Sequence, residues 1–154
     1  MKLILLRHAK SDWSDPAKDD RDRPLNERGR KAARKIGDWL KSRHHLPDLT
    51  LCSDAVRTRE TLAGLDLPEA ETEFRPDLYQ AEAGTILDIA HERNAGCVLI
   101  VAHNPGIGAA AAEACATPPA DPDFARYPTG ACTVIDVPDG LPGRCLDFTT
   151  PRAP

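Results

Sequence analysis

Residues 2–8 read KLILLRH, an apolar run that starts with a lysine and ends abruptly in Arg7 and His8. Four consecutive large aliphatic residues indicate a strand that is buried on both faces, as in the interior of a parallel sheet. In open α/β folds, ligands bind in the crevice just beyond the carboxyl ends of such strands. Arg7 and His8 therefore stand where a ligand site is expected, although either could instead have a purely structural role.

The size and composition of the chain bound its class. It has 154 residues, of which 41% are hydrophobic and 29% charged, with a formal net charge of −4. We expect a single domain over residues 1–150 and a short tail over residues 151–154. Net negative charge argues against non-specific nucleic-acid binding, and no apolar stretch approaches the ~20 residues of a membrane span. The apolar start is too short for a signal peptide, so we expect a cytoplasmic protein.

The cysteines and the paired histidines do not indicate a metal site or a thiol enzyme. Five scattered cysteines without C-x-x-C spacing suit free thiols in a reducing compartment. Cysteine-phosphatase loops need C-x5-R spacing, whereas only four residues separate Cys52 from Arg57. The adjacent His44 and His45 cannot chelate one ion from one helix face. Nucleotide-binding glycine motifs are also missing from the sequence, so nucleotide use has no support. We expect no metal and no other cofactor.

The rest of the sequence alternates strands with helices. Further strands are predicted at residues 49–52, 72–74, 96–102, 132–137 and 145–148. Helices are predicted after the N-caps Asn26 and Ser53, over residues 84–93, and from Pro105 onward. The polar segment 9–24 is predicted to be a loop, with its charge run 19–23 forming a solvated rim. This order predicts an α/β fold, a three-layer α/β/α sandwich with a mostly parallel central sheet.

Three predicted strands are each followed by a histidine or an arginine. These residues are Arg7 and His8 after the first strand, Arg57 one helical turn after the second, and His103 after the strand over 96–102. A single histidine after a strand is usually structural. Because parallel strands end at the same edge of a sheet, however, all four side chains can converge there.

The chemistry of this set points to phosphoryl transfer. Two guanidiniums match the oxygens of a phosphate group, and Arg57 lies in the first turn of a predicted helix, where exposed N–H groups favour an anion. Neighbouring positive charge should lower the pKa of His8 and leave a neutral imidazole near neutral pH. Such an imidazole can act as a nucleophile and carry a phosphoryl group.

On these residues the chain resembles the histidine phosphatase superfamily, which includes the phosphoglycerate mutases and the branch-one acid phosphatases. Four family motifs occur in order over about residues 1–135. They are R-H-G/A at 7–9, P-L-[ST]-x-x-G at 24–29, S-x-x-x-R-x-x-[QE]-T at 53–61, and V-x-H-x-x-x-[IL] at 101–107, with asparagine in place of Ser/Thr at position 26. The short chain and the R-H-A-K-S opening look most like the SixA-like phosphohistidine phosphatases.

The resemblance implies a phosphoglycerate-mutase-like fold and a role for each matched residue. His8 would become phosphorylated, and the phosphate pocket would be completed by Arg7, Arg57 and His103. Ser14 stands where many relatives have asparagine, so that a phosphate contact from Ser14 remains open. Asn104 could contact phosphate or cap the following helix.

The general acid is the role that the motifs define least. Family members that act on phosphate esters present a Glu or an Asp to the leaving oxygen. Glu82 is the candidate here, and the alternative for it is a solvated position at the start of a helix. Imidazole that is protonated on its other nitrogen leaves as a neutral molecule. Hydrolysis of phosphohistidine therefore needs less help from an acid than hydrolysis of a phosphate ester, whose leaving group is an alkoxide. A missing acid would therefore favour a P–N substrate over a sugar phosphate.

The leading hypothesis is a metal-independent phosphohistidine phosphatase that works through phosphorylated His8. A broad-specificity small-molecule phosphomonoesterase or a mutase-like enzyme is the alternative among enzymes. A phosphoprotein-binding module without hydrolysis is the alternative from another class. The expected partner is a phosphorylated protein or a small phosphate ester, with loop 9–24 as the candidate rim of an open pocket. We expect a monomer, with neither nucleic acid nor membrane among its partners.

Overall fold

The buried strand at the start of the chain lies in the interior of a six-stranded sheet. The computed structural model describes residues 1–152 and 154. Within the predicted tail over 151–154, Ala153 lies outside the described residues. In chain order the strands are β1 (Lys2–Arg7), β2 (Leu49–Ser53), β3 (Glu71–Arg75), β4 (Cys97–Ala102), β5 (Cys132–Asp136) and β6 (Arg144–Thr149).

The sheet is mostly parallel, as predicted. Its strand order is β3-β2-β4-β1-β5-β6. Strand β4 pairs in parallel with both β1 and β2, and β2 pairs in parallel with β3. Strand β5 runs antiparallel to both β1 and β6. The short connection between β5 and β6 accounts for their pairing, because a tight turn can join only antiparallel strands.

Helices cover both faces of the sheet. They are α1 (Glu27–Ser42), α2 (Val56–Leu65), α3 (Ala83–Ala90), α4 (Gly106–Ala114) and α5 (Asp123–Arg126), with short 3-10 helices at Asp20–Asp22 and Pro76–Leu78. The proline- and aspartate-rich segment before residue 123 indicated a loop, and α5 was not predicted. A bilayer-spanning helix needs ~20 apolar residues, and none of the helices within residues 1–152 meets that requirement.

Two apolar cores divide between the faces of the sheet. Leu3 and Leu5 of β1 point into the core shared with α3 and α4. Ile4 and Leu6 point into the opposite core, shared with α1 and α2. The alternation follows from strand geometry, in which successive side chains leave opposite faces. Burial on both faces explains why the strand reads as a continuous apolar run.

The loop after β1 lies directly on the first turn of α1. Asn26 caps this helix as predicted, its side-chain oxygen accepting the Gly29 amide at 2.8 Å. The Lys10 carbonyl accepts the Asn26 amide at 3.0 Å. A Cβ added to Gly29 would lie 2.1 Å from that same carbonyl oxygen. Glycine at this position therefore allows the contact between the loop and the helix.

Substitution of Gly29 by alanine should destabilise the protein. Because the added methyl group collides with backbone, we expect the free energy of unfolding to fall by about 1–3 kcal/mol. The matched control is Gly84→Ala in α3, where an added Cβ meets nothing within 4 Å. That change should leave stability unchanged or raise it by up to about 1 kcal/mol. Urea unfolding measures both, and equal effects would contradict the proposed contact.

Candidate active site

The four predicted residues meet at the carboxyl ends of three neighbouring strands. Strands β2, β4 and β1 lie side by side and run in the same direction. Beyond their ends is a cavity of about 270 Å³, which we call the strand-end cavity. Its lining comprises Arg7, His8, Arg57 and His103, together with Lys10, Ser11, Trp13, Arg23, Gln80, Asn104 and Thr129. The predicted convergence is therefore present.

His8 presents one defined ring nitrogen to this cavity. Its side chain is buried, and Nδ1 lies 2.7 Å from the Ala9 carbonyl oxygen. Because a carbonyl only accepts hydrogen bonds, we assign the proton to Nδ1 and a free lone pair to Nε2. Burial, followed by the charges of Arg57 and Arg7, lowers the pKa of His8 to about 4. The ring is thus neutral near neutral pH, with Nε2 available for attack.

His103 is oriented by Ser53, the last residue of β2. Its Nε2 lies 2.8 Å from Ser53 Oγ, which accepts the Ala55 amide at 3.4 Å. The Ser53 hydroxyl can therefore donate to Nε2, which places the His103 proton on Nδ1. Burial and the neighbouring His8 lower the pKa of His103 to about 3. Nδ1 is buried and has no hydrogen-bond partner among the described residues, so it can donate to a ligand.

This role for Ser53 differs from the sequence-based prediction. We expected Ser53 to cap the following helix, but α2 begins at Val56 and has Ala55 in the capping position. The hydroxyl instead forms a hydrogen bond with His103, because β2 and β4 are neighbouring strands that end side by side. A strand-end serine gives no local signal for a partner that lies fifty positions away in the sequence.

The two arginines are held in place before any ligand binds. Arg7 Nη1 donates to the Tyr127 carbonyl at 3.0 Å. Arg57 Nη1 and Nη2 donate to the carbonyl and carboxylate oxygens of Asp20 at 2.6 and 2.9 Å. In both guanidiniums, Nε is buried and lacks a hydrogen-bond partner among the described residues. Burial and the charge of Arg57 lower the pKa of Arg7. Such an arrangement favours a bound anion.

The charge run over 19–23 is the predicted solvated rim only at Asp19, Arg21 and Asp22, which are exposed. Asp20 accepts hydrogen bonds from Arg57, Arg23 and Tyr79. Burial opposes its ionisation, but these hydrogen bonds outweigh burial and hold the pKa of Asp20 below its usual value. Arg23 is also buried, and its Nη1 donates to Ser11 Oγ at 2.8 Å. Charge alternation suggested a solvated segment, whereas the fold turns Asp20 toward Arg57 and Arg23 toward Ser11.

The third family motif is explained by its contacts with the loops around the site. Thr61 Oγ1 accepts the Ala9 amide at 3.0 Å and donates to the Arg57 carbonyl at 2.7 Å. Glu60 accepts the Leu25 amide at 2.8 Å. Helix α2 therefore fixes the loop after β1, which includes Ala9, the acceptor for His8. Cys52 is buried with its pKa raised to about 12, as expected for an unreactive thiol.

The remaining predicted residues differ in their placement. Asn104 lines the cavity, and its side chain accepts the Gly108 amide at 3.1 Å and donates to the Tyr127 carbonyl at 2.9 Å. Ser14 is exposed and outside the cavity lining, with its amide bonded to Asp12. Glu82 is exposed, precedes α3 and is also outside the lining. The structure thus separates Ser14 and Glu82 from the set that surrounds His8.

Comparisons with known proteins identify the family and several relatives of the chain. The family model of the histidine phosphatase superfamily, branch 1, matches residues 3–87. An uncharacterized protein of Mycobacterium tuberculosis, Rv1276c, is 35% identical over 141 residues, covering 86% of this chain and 87% of that protein. An uncharacterized chloroplastic protein of Arabidopsis thaliana is 45% identical over 87 residues, which are 53% of this chain and 40% of that protein.

Solved structures show the same fold. A candidate phosphohistidine phosphatase SixA from Agrobacterium tumefaciens superposes with a TM-score of 0.82 at 30% identity, covering 97% of both chains. A protein histidine phosphatase SixA complexed with tungstate gives a TM-score of 0.80 at 24% identity, covering 99% of this chain and 98% of that one. The family match extends over more than half of the chain and includes the motifs that supply Arg7, His8 and Arg57. The chain belongs to the histidine phosphatase superfamily, branch 1.

Proposed function

We propose that the protein is a phosphohistidine phosphatase that works through a covalent phospho-His8 intermediate. One observation carries the proposal, the position of the neutral His8 imidazole beside two fixed guanidiniums and His103. The guanidiniums would neutralise the phosphoryl oxygens, so the reaction needs no metal ion. The candidate SixA relative from Agrobacterium tumefaciens supports the same substrate class.

In the first step, the lone pair of His8 Nε2 attacks phosphorus and the bond from phosphorus to the substrate nitrogen breaks. Arg7 and Arg57 stabilise the charge on the equatorial oxygens, and His103 Nδ1–H donates to one of them. The substrate imidazole, protonated on its other ring nitrogen, leaves as a neutral molecule. The phosphoryl group is then bonded to His8, whose Nδ1–H still donates to the Ala9 carbonyl.

In the second step, water attacks phosphorus and the bond to His8 Nε2 breaks. Because Nδ1 keeps its proton throughout, His8 also leaves as a neutral imidazole. The water proton departs with inorganic phosphate or passes to solvent. One hydrogen bond to Ala9 thus supports both half-reactions, since it frees Nε2 for attack and keeps the phosphorylated ring a good leaving group.

The lining of the cavity favours a P–N substrate. None of the described residues that line the strand-end cavity carries a carboxyl group. An alkoxide leaving group needs a proton from such an acid, and a positioned acid typically contributes about 10²–10⁴-fold to the rate. A neutral imidazole leaving group does not. We therefore propose that phosphohistidine is a better substrate than a phosphate ester, and that Glu82 is not required for its hydrolysis.

Phosphoenzyme trapping tests the nucleophile. Wild-type protein, mixed with phosphohistidine and quenched with alkali, should carry one base-stable, acid-labile phosphoryl group on His8. His8→Asn keeps an N–H donor for the Ala9 carbonyl but has no nucleophile, so it should carry no phosphoryl group. His103→Asn serves as the control that keeps the nucleophile. Acid-labile phosphoenzyme in His8→Asn would contradict the proposed intermediate.

The low pKa of His8 predicts a pH-dependent stability. An unfolded histidine binds a proton near its ordinary pKa of about 6.5, whereas folded His8 binds one only near about pH 4. Between these values the unfolded state holds more protons. The contribution of His8 to the free energy of unfolding is therefore fully present above about pH 6.5 and is lost as the pH falls. The loss in unfolding free energy from about pH 7 to about pH 5 should be about 1–2 kcal/mol smaller in His8→Asn.

Urea unfolding at both pH values measures that difference. The exposed His44 provides the control, because His44→Asn should retain the full wild-type loss. If His8→Asn and the wild type lost stability equally, His8 would not be held neutral in the fold.

A substrate comparison tests the proposed class of leaving group. The kcat/KM for phosphohistidine should exceed that for 3-phosphoglycerate, because only the ester needs an acid. Glu82→Gln should leave both values within about twofold, far from the 10²–10⁴-fold that a general acid contributes. Faster turnover of the ester, combined with a large loss in Glu82→Gln, would instead identify a phosphomonoesterase with Glu82 as its acid.

A further inference from the structure

A second groove, rich in positive charge, lies next to the strand-end cavity. It has a volume of about 550 Å³, about twice that of the cavity. Its lining includes one acidic side chain, Asp123, and six basic ones, which are Lys10, Arg28, Lys31, Lys35, Arg126 and Arg152. We call it the basic groove. The whole chain has a formal net charge of −4, so this local excess of cations runs against the overall balance.

Most of these cations are not neutralised within the protein. Arg126 pairs with Asp123, and Lys31 lies 3.6 Å from the exposed Glu27. The other four basic side chains form no ion pair with any described residue, and all four are exposed; they are Lys10, Arg28, Lys35 and Arg152. Exposed like charges that are grouped together raise the local potential and attract anionic partners.

The basic groove is continuous with the proposed reaction site. Lys10 and Thr129 line both the groove and the strand-end cavity. Lys10 follows Ala9, the acceptor for His8, and its carbonyl rests against Gly29 of α1. Helix α1, which supplies three of the basic side chains, is therefore fixed relative to the nucleophile at its first turn. A substrate whose phosphoryl group occupies the cavity would extend directly into the groove.

We infer that the basic groove binds an acidic segment of a phosphoprotein beside its phosphohistidine. The inference rests on the proposed function and specifies the kind of protein that carries the phosphoryl group. A phosphoryl group and its imidazole fill only the smaller cavity, which leaves the groove for the residues around that histidine. The lining of the groove also includes Ala32, Pro128 and Pro151, and this mixture of apolar and charged groups suits a polypeptide better than a compact inorganic anion.

Each exposed ion pair contributes little to the free energy of binding, so several pairs must act together. Their main effect is on association rate and on preference between substrates. We expect a moderate gain in kcat/KM for acidic substrates, about tenfold at low ionic strength, that disappears as salt screens the charges. The turnover of free phosphohistidine, which has no flanking acidic residues, should not depend on the groove.

The test uses two synthetic peptides that carry the same phosphohistidine, one flanked by glutamates and the other by glutamines. Free phosphohistidine is the third substrate. In the wild type, kcat/KM for the glutamate peptide should exceed that for the glutamine peptide by about tenfold at low salt and converge with it at high salt. A ratio near one at low salt would overturn the inference.

Charge reversal locates the effect on the groove. The double variant Arg28→Glu/Lys35→Glu changes two side chains that line the groove but not the strand-end cavity. It should abolish the preference for the glutamate peptide and leave turnover of free phosphohistidine unchanged. The control Arg34→Glu/Arg144→Glu changes the net charge equally at exposed positions outside the groove, and it should keep the preference. A preference that survives Arg28→Glu/Lys35→Glu would overturn the inference.

A binding measurement separates the groove from the reaction. Fluorescence anisotropy with the unphosphorylated peptides should show tighter binding of the glutamate peptide to the wild type, and no difference in the double variant. If no phosphohistidine compound were hydrolysed, the proposed function would fail. The anisotropy measurement would still show whether the basic groove binds acidic peptides. Tighter binding of tripolyphosphate or of a single-stranded oligonucleotide than of the glutamate peptide would overturn the inference in favour of those ligands.

Discussion

The hydrogen bond from His8 to the Ala9 carbonyl determines what this site can do. It fixes the tautomer of a buried imidazole and directs the other nitrogen toward the strand-end cavity. The acceptor is itself held, because the Ala9 amide donates to Thr61 of α2. The nitrogen that faces the cavity is thus defined by backbone groups, whose positions follow from the pairing of β1 with β4 and from the packing of α2.

The charges around His8 are arranged before substrate binds. In Arg57 both terminal nitrogens are engaged by Asp20, and in Arg7 one terminal nitrogen is engaged by Tyr127. Each guanidinium is therefore fixed by acceptors at its outer end, while its inner Nε has no hydrogen-bond partner within the described part of the chain. Donors that are already oriented need little reorganisation when charge develops on phosphorus, which is how such groups lower a barrier. Asp20 holds Arg57 through its carbonyl and carboxylate oxygens.

The sequence predicted the framework of the site better than its polar connections. Burial on both faces produced an unmistakable apolar run in β1, and parallel strands necessarily bring Arg7, Arg57 and His103 to one edge. The contact between Ser53 and His103 could not be predicted in this way, because it joins two strand ends across the sheet and leaves no periodic pattern. The position of Asp20 was missed for a related reason, since a charge run looks the same whether it faces water or an arginine.

No carboxyl group occurs among the described residues that line the strand-end cavity, and this bears on how the proposed enzyme would distinguish its substrates. In the proposed reaction, the site would expel a neutral imidazole but give no proton to an alkoxide, so it would select substrates by their leaving group. Such selection depends on the bond that breaks and not on the rest of the substrate. Contacts that recognise the rest of the substrate must then lie outside the cavity. The groove that shares Lys10 and Thr129 with the cavity is the neighbouring surface whose charge can supply them.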